Sequence, residues 1–228
     1  MNPNLNKEIN TKKVISVYDF DGTISNIDSF TSFLAYAYGN RSYYIKMISL
    51  LIPTLRYFSG SMSRSDLKAF LISRFLKGES SEWLSNKAKD FFDEKIDSLI
   101  RVGAIDQIKR DLHRGFHVAI CSASPEFLLA PFAKFLNASL VCTRLETENG
   151  IFTGNILGKN CIAGEKVERL IDAYGPLDNF YLIGWGDSPG DYDFLSISQE
   201  SNWRPFRNYV SPPPEYLSAI KIRNSKNY

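Results

Sequence analysis

The feature that most constrains this chain is an uncharged run rich in β-branched residues, Val14 to Tyr18 (VISVY), that stops abruptly at Asp19. A short apolar run with polar ends reads as a strand buried on both faces. Such strands belong to parallel sheets covered by helices. Two more runs have the same character, His117 to Ser122 (HVAICS) and Asn179 to Gly184 (NFYLIG), with a shorter one, Ser139 to Thr143 (SLVCT), between them. Helical patterns alternate with these runs. Ala104 to Arg114 ends at Gly115, Pro125 to Leu136 opens after Ser124 as an N-cap, and Glu165 to Tyr174 closes on Gly175. The alternation predicts an α/β fold, a Rossmann-like parallel sheet as the middle of three layers.

Two stretches break the rhythm. In RLETENGIFTGNI, Asn149-Gly150 stands between alternating residues and predicts a small β-hairpin flap. From Ser29 to Ile100 there is no strand pattern, only successive helical ones, too long for a simple crossover. The division expected is a core of 14–28 and 101–210, a helical cap of 29–100, and terminal segments of 1–13 and 211–228, the last with Pro212-Pro213-Pro214. A chain of 228 residues, 44% hydrophobic and 23% charged, suffices for that arrangement.

The net charge of +2 is too mild to argue for nucleic acid. Cys121, Cys142 and Cys161 show no CxxC spacing and fit small buried thiols in a reducing compartment. His113 and His117 near Cys121 make a poor case for a thiol enzyme, because nothing else supports a Cys–His pair. The polar start MNPNLNKEINTKK lacks the apolar stretch of a secretion signal, and Met47 to Leu55 is too short to span a bilayer. The expectation is a cytoplasmic protein.

The chemistry concentrates where strands end. Asp19-Phe20-Asp21-Gly22-Thr23 follows the first strand, and the carboxyl ends of strands form the ligand crevice of an open α/β sheet. Two carboxylates there can divide labour between nucleophile or metal ligand and acid/base, while Gly22 permits a tight turn and Thr23 can donate a hydrogen bond. Gly186-Asp187-Ser188-Pro189-Gly190-Asp191 brings two more acids to the same edge. Clustered carboxylates need a cation, and an oxygen-rich acidic cluster suits Mg²⁺. Ser122 ends its strand at the same crevice, and Ser124 with the amides before the next helix offers an anion site, a helix cap, or both. Lys166, in GEKVERL, would supply the fixed cation that a phosphate site lined with acids requires.

These pieces, in this order, resemble the haloacid-dehalogenase superfamily of phosphatases over Val14 to about Phe206. DFDGT matches the first motif, Ser122 the second, Lys166 the third and GDSPGD the fourth. The helical insertion between the first two is similar to the phosphoserine phosphatase branch and to a bacterial phosphatidylglycerophosphatase branch. The resemblance implies Asp19 as nucleophile and Mg²⁺ ligand, and Asp21 as acid/base that also lends its carbonyl to the metal. It implies Asp187 as a further metal ligand, Asp191 as its supporting carboxylate, and Ser122, Ala123 and Lys166 around the phosphoryl oxygens. Asp28 falls where phosphoserine phosphatases carry a longer Glu that meets the substrate amine, a departure from that pattern.

The expected substrate is a small or lipid phosphate monoester, such as phosphoserine or phosphatidylglycerophosphate. Tyr43 to Phe58 (YYIKMISLLIPTLRYF) reads as a helix apolar nearly all round and kinked at Pro53. Burial at the centre of the cap is the favoured reading, and an interfacial helix meeting lipid phosphates, with peripheral membrane contact, is the other. Two non-enzymatic alternatives remain in view: a phosphoryl-accepting receiver, usually about half this length, and a membrane-peripheral phosphate-ligand module without turnover.

Overall fold

A computed structural model of the chain describes residues 12–207; the proline-rich tail and most of the polar N-terminus considered above lie outside them. Six strands form one sheet in the order β4-β3-β2-β1-β5-β6. They are β1 (Lys13–Tyr18), β2 (His117–Pro125), β3 (Ser139–Glu148), β4 (Ile151–Leu157), β5 (Phe180–Gly186) and β6 (Glu200–Trp203). Only the β3–β4 pairing is antiparallel. The chain winds outward from β1 in both directions, so the crevice of an open parallel sheet falls beside β1.

Alternation along each strand sorts side chains into two cores. Val14 and Tyr18 of β1, Val118 and Ile120 of β2, and Tyr181 and Ile183 of β5 join one apolar cluster. Ile15 and Val17, Ala119 and Cys121, and Leu182 join the other. Helices α5 (Val102–His113) and α6 (Glu126–Phe135) cover the first face with Ile108 and Phe132. Helices α7 (Gly164–Tyr174) and α8 (Tyr192–Ile197) cover the second with Leu170, Phe194 and Leu195. The three layers are those expected from the sequence; the short strand β6 is an addition, since ESNW carries no apolar alternation.

Between β1 and α5 come helices α1 (Ser29–Ile48, interrupted at Gly39), α2 (Leu51–Phe58), α3 (Arg64–Leu76) and α4 (Ser81–Leu99). The insertion leaves and rejoins the sheet region at one place, where Ser25 bridges Ile100 and Arg101 N donates to Ile24 O at 2.9 Å. It is not separately cored: Phe33 packs on Phe91 and Phe127, and Phe92 on Phe132, so one apolar cluster runs through helices and sheet. Asn149 and Gly150 turn the hairpin with φ of 50° and 80°, as the dipeptide predicts. The hairpin also meets the insertion, with Gly78 N donating to Phe152 O at 2.8 Å.

The apolar stretch 43–58 differs from its favoured reading. It is two helices broken at Ser49-Leu50 rather than one kinked at Pro53. Pro53 sits in the first turn of α2, where its missing N–H costs nothing because first-turn donors lack intrahelical partners anyway. Nor is the stretch buried throughout: Leu50 and Pro53 are covered, but Ile52 is 72% and Phe58 78% exposed. Among the described residues no helix is long and apolar enough to cross a membrane.

Candidate active site

β1 stops at Tyr18 because the chain then closes a wide turn, with Ser25 N donating to Phe20 O at 2.8 Å. Gly22 makes the turn feasible at φ +84°, and a Cβ there would lie 2.5 Å from Asp187 Oδ2. Asp21 therefore leaves the extended line of the strand, although both acids reach one cavity. Asp19 is anchored by its own N–H, which donates to Trp185 O of β5 at 2.8 Å. Beneath it, Tyr18 stacks on Trp185 with ring centroids 5.3 Å apart. Buried Asp111 of α5 accepts from Ser16 Oγ and Tyr18 Oη, each at 2.6 Å. Burial, reinforced by the Asp111 carboxylate, pushes the Tyr18 phenol far above its usual range, so it stays a donor.

Lys166 is the centre of the site. Its Nζ donates to Asp19 Oδ1 and Asp191 Oδ1, each at 2.6 Å, and all three side chains are buried. Asp191 Oδ2 accepts from Asp187 N, Ser188 N and Ser188 Oγ at 3.1, 2.9 and 3.0 Å, which folds the GDSPGD loop around it. Asp187 Oδ2 accepts from Arg207 Nη2 at 2.6 Å. Burial pulls the Lys166 pKa down, but Asp19 and Asp191 outweigh it and hold the ammonium well above its ordinary value. Burial, followed by the Asp191 charge, raises Asp19 against the pull of Lys166. Burial likewise raises Asp187.

Carboxylate oxygens of Asp19, Asp187 and Asp191 lie within 4.8 Å of one another. Three buried hard oxygen donors gathered this closely fit a divalent cation.

Asp21 is held apart from this group. Its Oδ1 accepts from Ser29 N at 2.7 Å and its Oδ2 from Ser124 Oγ at 2.5 Å. Burial and then Asp28 raise its pKa, while the Ser124 and Ser29 hydrogen bonds oppose them. Ser124 is thus no helix cap: Pro125 occupies the cap position of α6 without a side-chain bond, and the Ser124 hydroxyl serves Asp21 instead.

A cavity of about 320 Å³ is lined by Asp19, Asp21, Asp28, Ser122, Ala123, Lys166, Asp187 and Asp191, eight of the nine site residues expected from the sequence. Thr23 is the exception; it is buried, and its Oγ1 donates to Asp187 Oδ1 at 3.5 Å. Asp28 both lines the cavity and caps α1, accepting from Thr31 N at 2.8 Å. His117 bonds with Ser139 and Tyr174, away from buried Cys121, so no Cys–His pair forms.

Sequence reasoning missed three cations on the cavity wall, Arg64, Lys68 and Arg207. Lys68 Nζ donates to Ala123 O at 2.7 Å, and burial lowers its pKa against the raising effect of Asp21 and Asp28. No local pattern distinguished these from the chain's other basic residues. Beside the cavity, and sharing Ile162 with it, a groove of about 760 Å³ runs between α3 and β4 past Met62, Phe70 and Ile156.

Comparison with known proteins agrees with this architecture. The chain is 35% identical over 202 residues to Protein CicA of Caulobacter vibrioides, covering 88% of this chain and 90% of that one. A Bordetella pertussis Tohama I protein of unknown function shares the fold with a TM-score of 0.74 at 21% identity, covering 94% of this chain and 97% of that one. A substrate-bound phosphoserine phosphatase complex shares it with a TM-score of 0.56 at 20% identity, over 84% and 85% of the two chains. The profile of the haloacid dehalogenase-like hydrolases matches residues 17–196, and the chain belongs to that family.

Proposed function

We propose that this hydrolase is a Mg²⁺-dependent phosphatase that cleaves phosphate monoesters through a covalent phosphoryl group on Asp19. The observation that carries the reading is the Lys166 ammonium 2.6 Å from both Asp19 and Asp191, in a crevice where Asp19 and Asp187 can share a cation with Asp191 close behind. An anionic nucleophile facing an anionic substrate requires such compensation.

In this reading Asp19, Asp187 and the Asp21 carbonyl would hold Mg²⁺, with Asp191 behind them, and the bound ion would supply positive charge to offset that of the phosphoryl oxygens. An Asp19 carboxylate oxygen forms the new P–O bond as the ester P–O bond breaks. Asp21, whose pKa burial raises, gives a proton to the leaving alkoxide. It then takes a proton from the water that attacks the aspartyl-phosphate, releasing inorganic phosphate and restoring Asp19. Lys166 holds Asp19 in place and, with Ser122 and the Ala123 amide, meets the phosphoryl oxygens. Residues 29–100 act as a cap that supplies Arg64 and Lys68 and screens the transfer from bulk water.

The groove beside Ile162 leaves room for an alcohol larger than serine, which favours a bulky or lipid phosphate monoester. Phosphate release from phosphoserine, sugar phosphates, nucleotides and phosphatidylglycerophosphate in detergent, with and without chelator, tests the reading. Release that vanishes with chelator and in Asp19→Asn is expected. Chelator-insensitive release, or turnover by Asp19→Asn, would sink the mechanism.

A further inference from the structure

Helix α2 turns its apolar side to solvent. Leu51, Ile52, Leu55 and Phe58 are 61%, 72%, 68% and 78% exposed, while Pro53 and the preceding Leu50 are the buried side. At helical spacing those four form a stripe about 120° wide, the inverse of an ordinary surface helix. The end of α1 extends the patch, with Tyr44, Ile45 and Ile48 also more than half exposed. Among the described residues, eight of the fifteen exposed large hydrophobics lie between positions 44 and 58. Scattered exposed hydrophobics are ordinary, but concentration in one segment marks a contact surface.

The charge around the patch identifies the contact. Residues 39–78 carry seven Lys or Arg and one acid, Asp66, whereas the rest of the chain carries twenty basic and twenty-four acidic residues. Arg41, Arg56, Arg64, Arg74 and Lys77 are exposed. The positive excess of a nearly balanced chain thus falls in the stretch that holds the exposed apolar helix, with Arg56 on the helix itself and Arg74 bonded to Ser49 just before it, although Lys46 pairs with Glu79 at 3.9 Å.

We propose that this face docks on an anionic lipid bilayer, with α2 lying in the interfacial plane and the surrounding arginines among the headgroups. An apolar stripe set in a basic surround is the pattern of an interfacial helix on acidic lipid. Eight residues are too few to cross a bilayer, so the contact is peripheral. A second copy is the poorer occupant, because a symmetric contact would bring two strongly positive patches together. The five residues 59–63 join α2 to Arg64 on the active-site cavity wall, and Met62 among them lines the adjoining groove. Docking thereby brings the site entrance near the headgroup layer.

Flotation of the full chain with phosphatidylcholine–phosphatidylglycerol vesicles tests this independently of turnover. The protein should float with these vesicles and bind pure phosphatidylcholine at least about tenfold more weakly, with binding falling as salt rises. Ile52→Ser/Leu55→Ser/Phe58→Ser should lower vesicle affinity about a hundredfold. It should leave the melting temperature and hydrolysis of a soluble phosphomonoester unchanged. If that variant misfolds, Arg41→Glu/Arg56→Glu should still weaken binding to the anionic vesicles severalfold. Absence of flotation, or equal flotation of the apolar triple variant, would overturn the proposal. So would a lipid-free dimer in light scattering that the triple variant dissolves, since the face would then be a self-interface. Loss of hydrolysis with vesicle binding intact would count against the phosphatase reading alone.

Discussion

Replacing Lys166 with methionine keeps most of the side-chain length and deletes the charge on which two buried carboxylates rest. Among the described residues Lys166 makes the only hydrogen bond to the Asp19 carboxylate, whereas Asp191 keeps its three bonds from Asp187 and Ser188. The uncompensated charge therefore falls mainly on Asp19, which is 6% exposed. Removing one partner of a buried ion pair costs about 3–5 kcal/mol. In a chain of this size that lowers the melting temperature by roughly 6–20 °C. Calorimetry in chelator, which keeps divalent cations from substituting for the ammonium, reads the effect. Adding Asp19→Asn to Lys166→Met removes the orphaned charge and should restore more than half of the loss.

The dependence on pH has a definite sign. Burial and the Asp191 charge raise the Asp19 pKa, and without Lys166 nothing nearby opposes them as strongly. The folded variant then binds a proton more readily than the unfolded chain, so its deficit shrinks as pH falls and grows as pH rises through the folded pKa. The wild-type contribution of Lys166 behaves oppositely at the other end. Its pKa is raised, so its stabilisation is complete below the ordinary lysine range and is lost only as pH climbs past the folded value. A Lys166→Met protein that melts within about 2 °C of wild type, or a double variant no more stable than the single one, would refute the reasoning.

Two other substitutions probe the turn and the acid/base. Gly22→Ala puts a Cβ 2.5 Å from Asp187 Oδ2 at φ +84°, and should cost about 1–3 kcal/mol together with most of the hydrolytic rate; a fully active, equally stable variant would mean the turn is loose. Ser124→Ala removes the 2.5 Å hydrogen bond to Asp21 and should lower kcat about tenfold with little change in KM. An unchanged pH–rate profile in that variant would argue that Ser124 does not set the protonation of Asp21.

Much of this molecule was legible locally. A strand buried on both faces must be apolar throughout, so VISVY, HVAICS and NFYLIG declared the parallel sheet, and Asn149-Gly150 declared the hairpin through its need for positive φ. Polar residues placed at strand ends converge on one edge whenever the strands are parallel, so the meeting of Asp19, Ser122 and Asp187 follows from the strand pattern alone. The long strand-free block between the first two of these strands likewise had to be an insertion.

Other features depended on which surfaces meet in space. Ser124 has the composition and position of a helix cap, and only the nearness of Asp21 gives its hydroxyl a different partner. Arg64, Lys68 and Arg207 join the site from remote parts of the chain, where one basic residue looks like another. An apolar pattern says that a side chain avoids water, but not whether the protein itself provides the cover. For α2 the described residues do not, because Leu50 and Pro53 take its inner side and leave Ile52, Leu55 and Phe58 facing out.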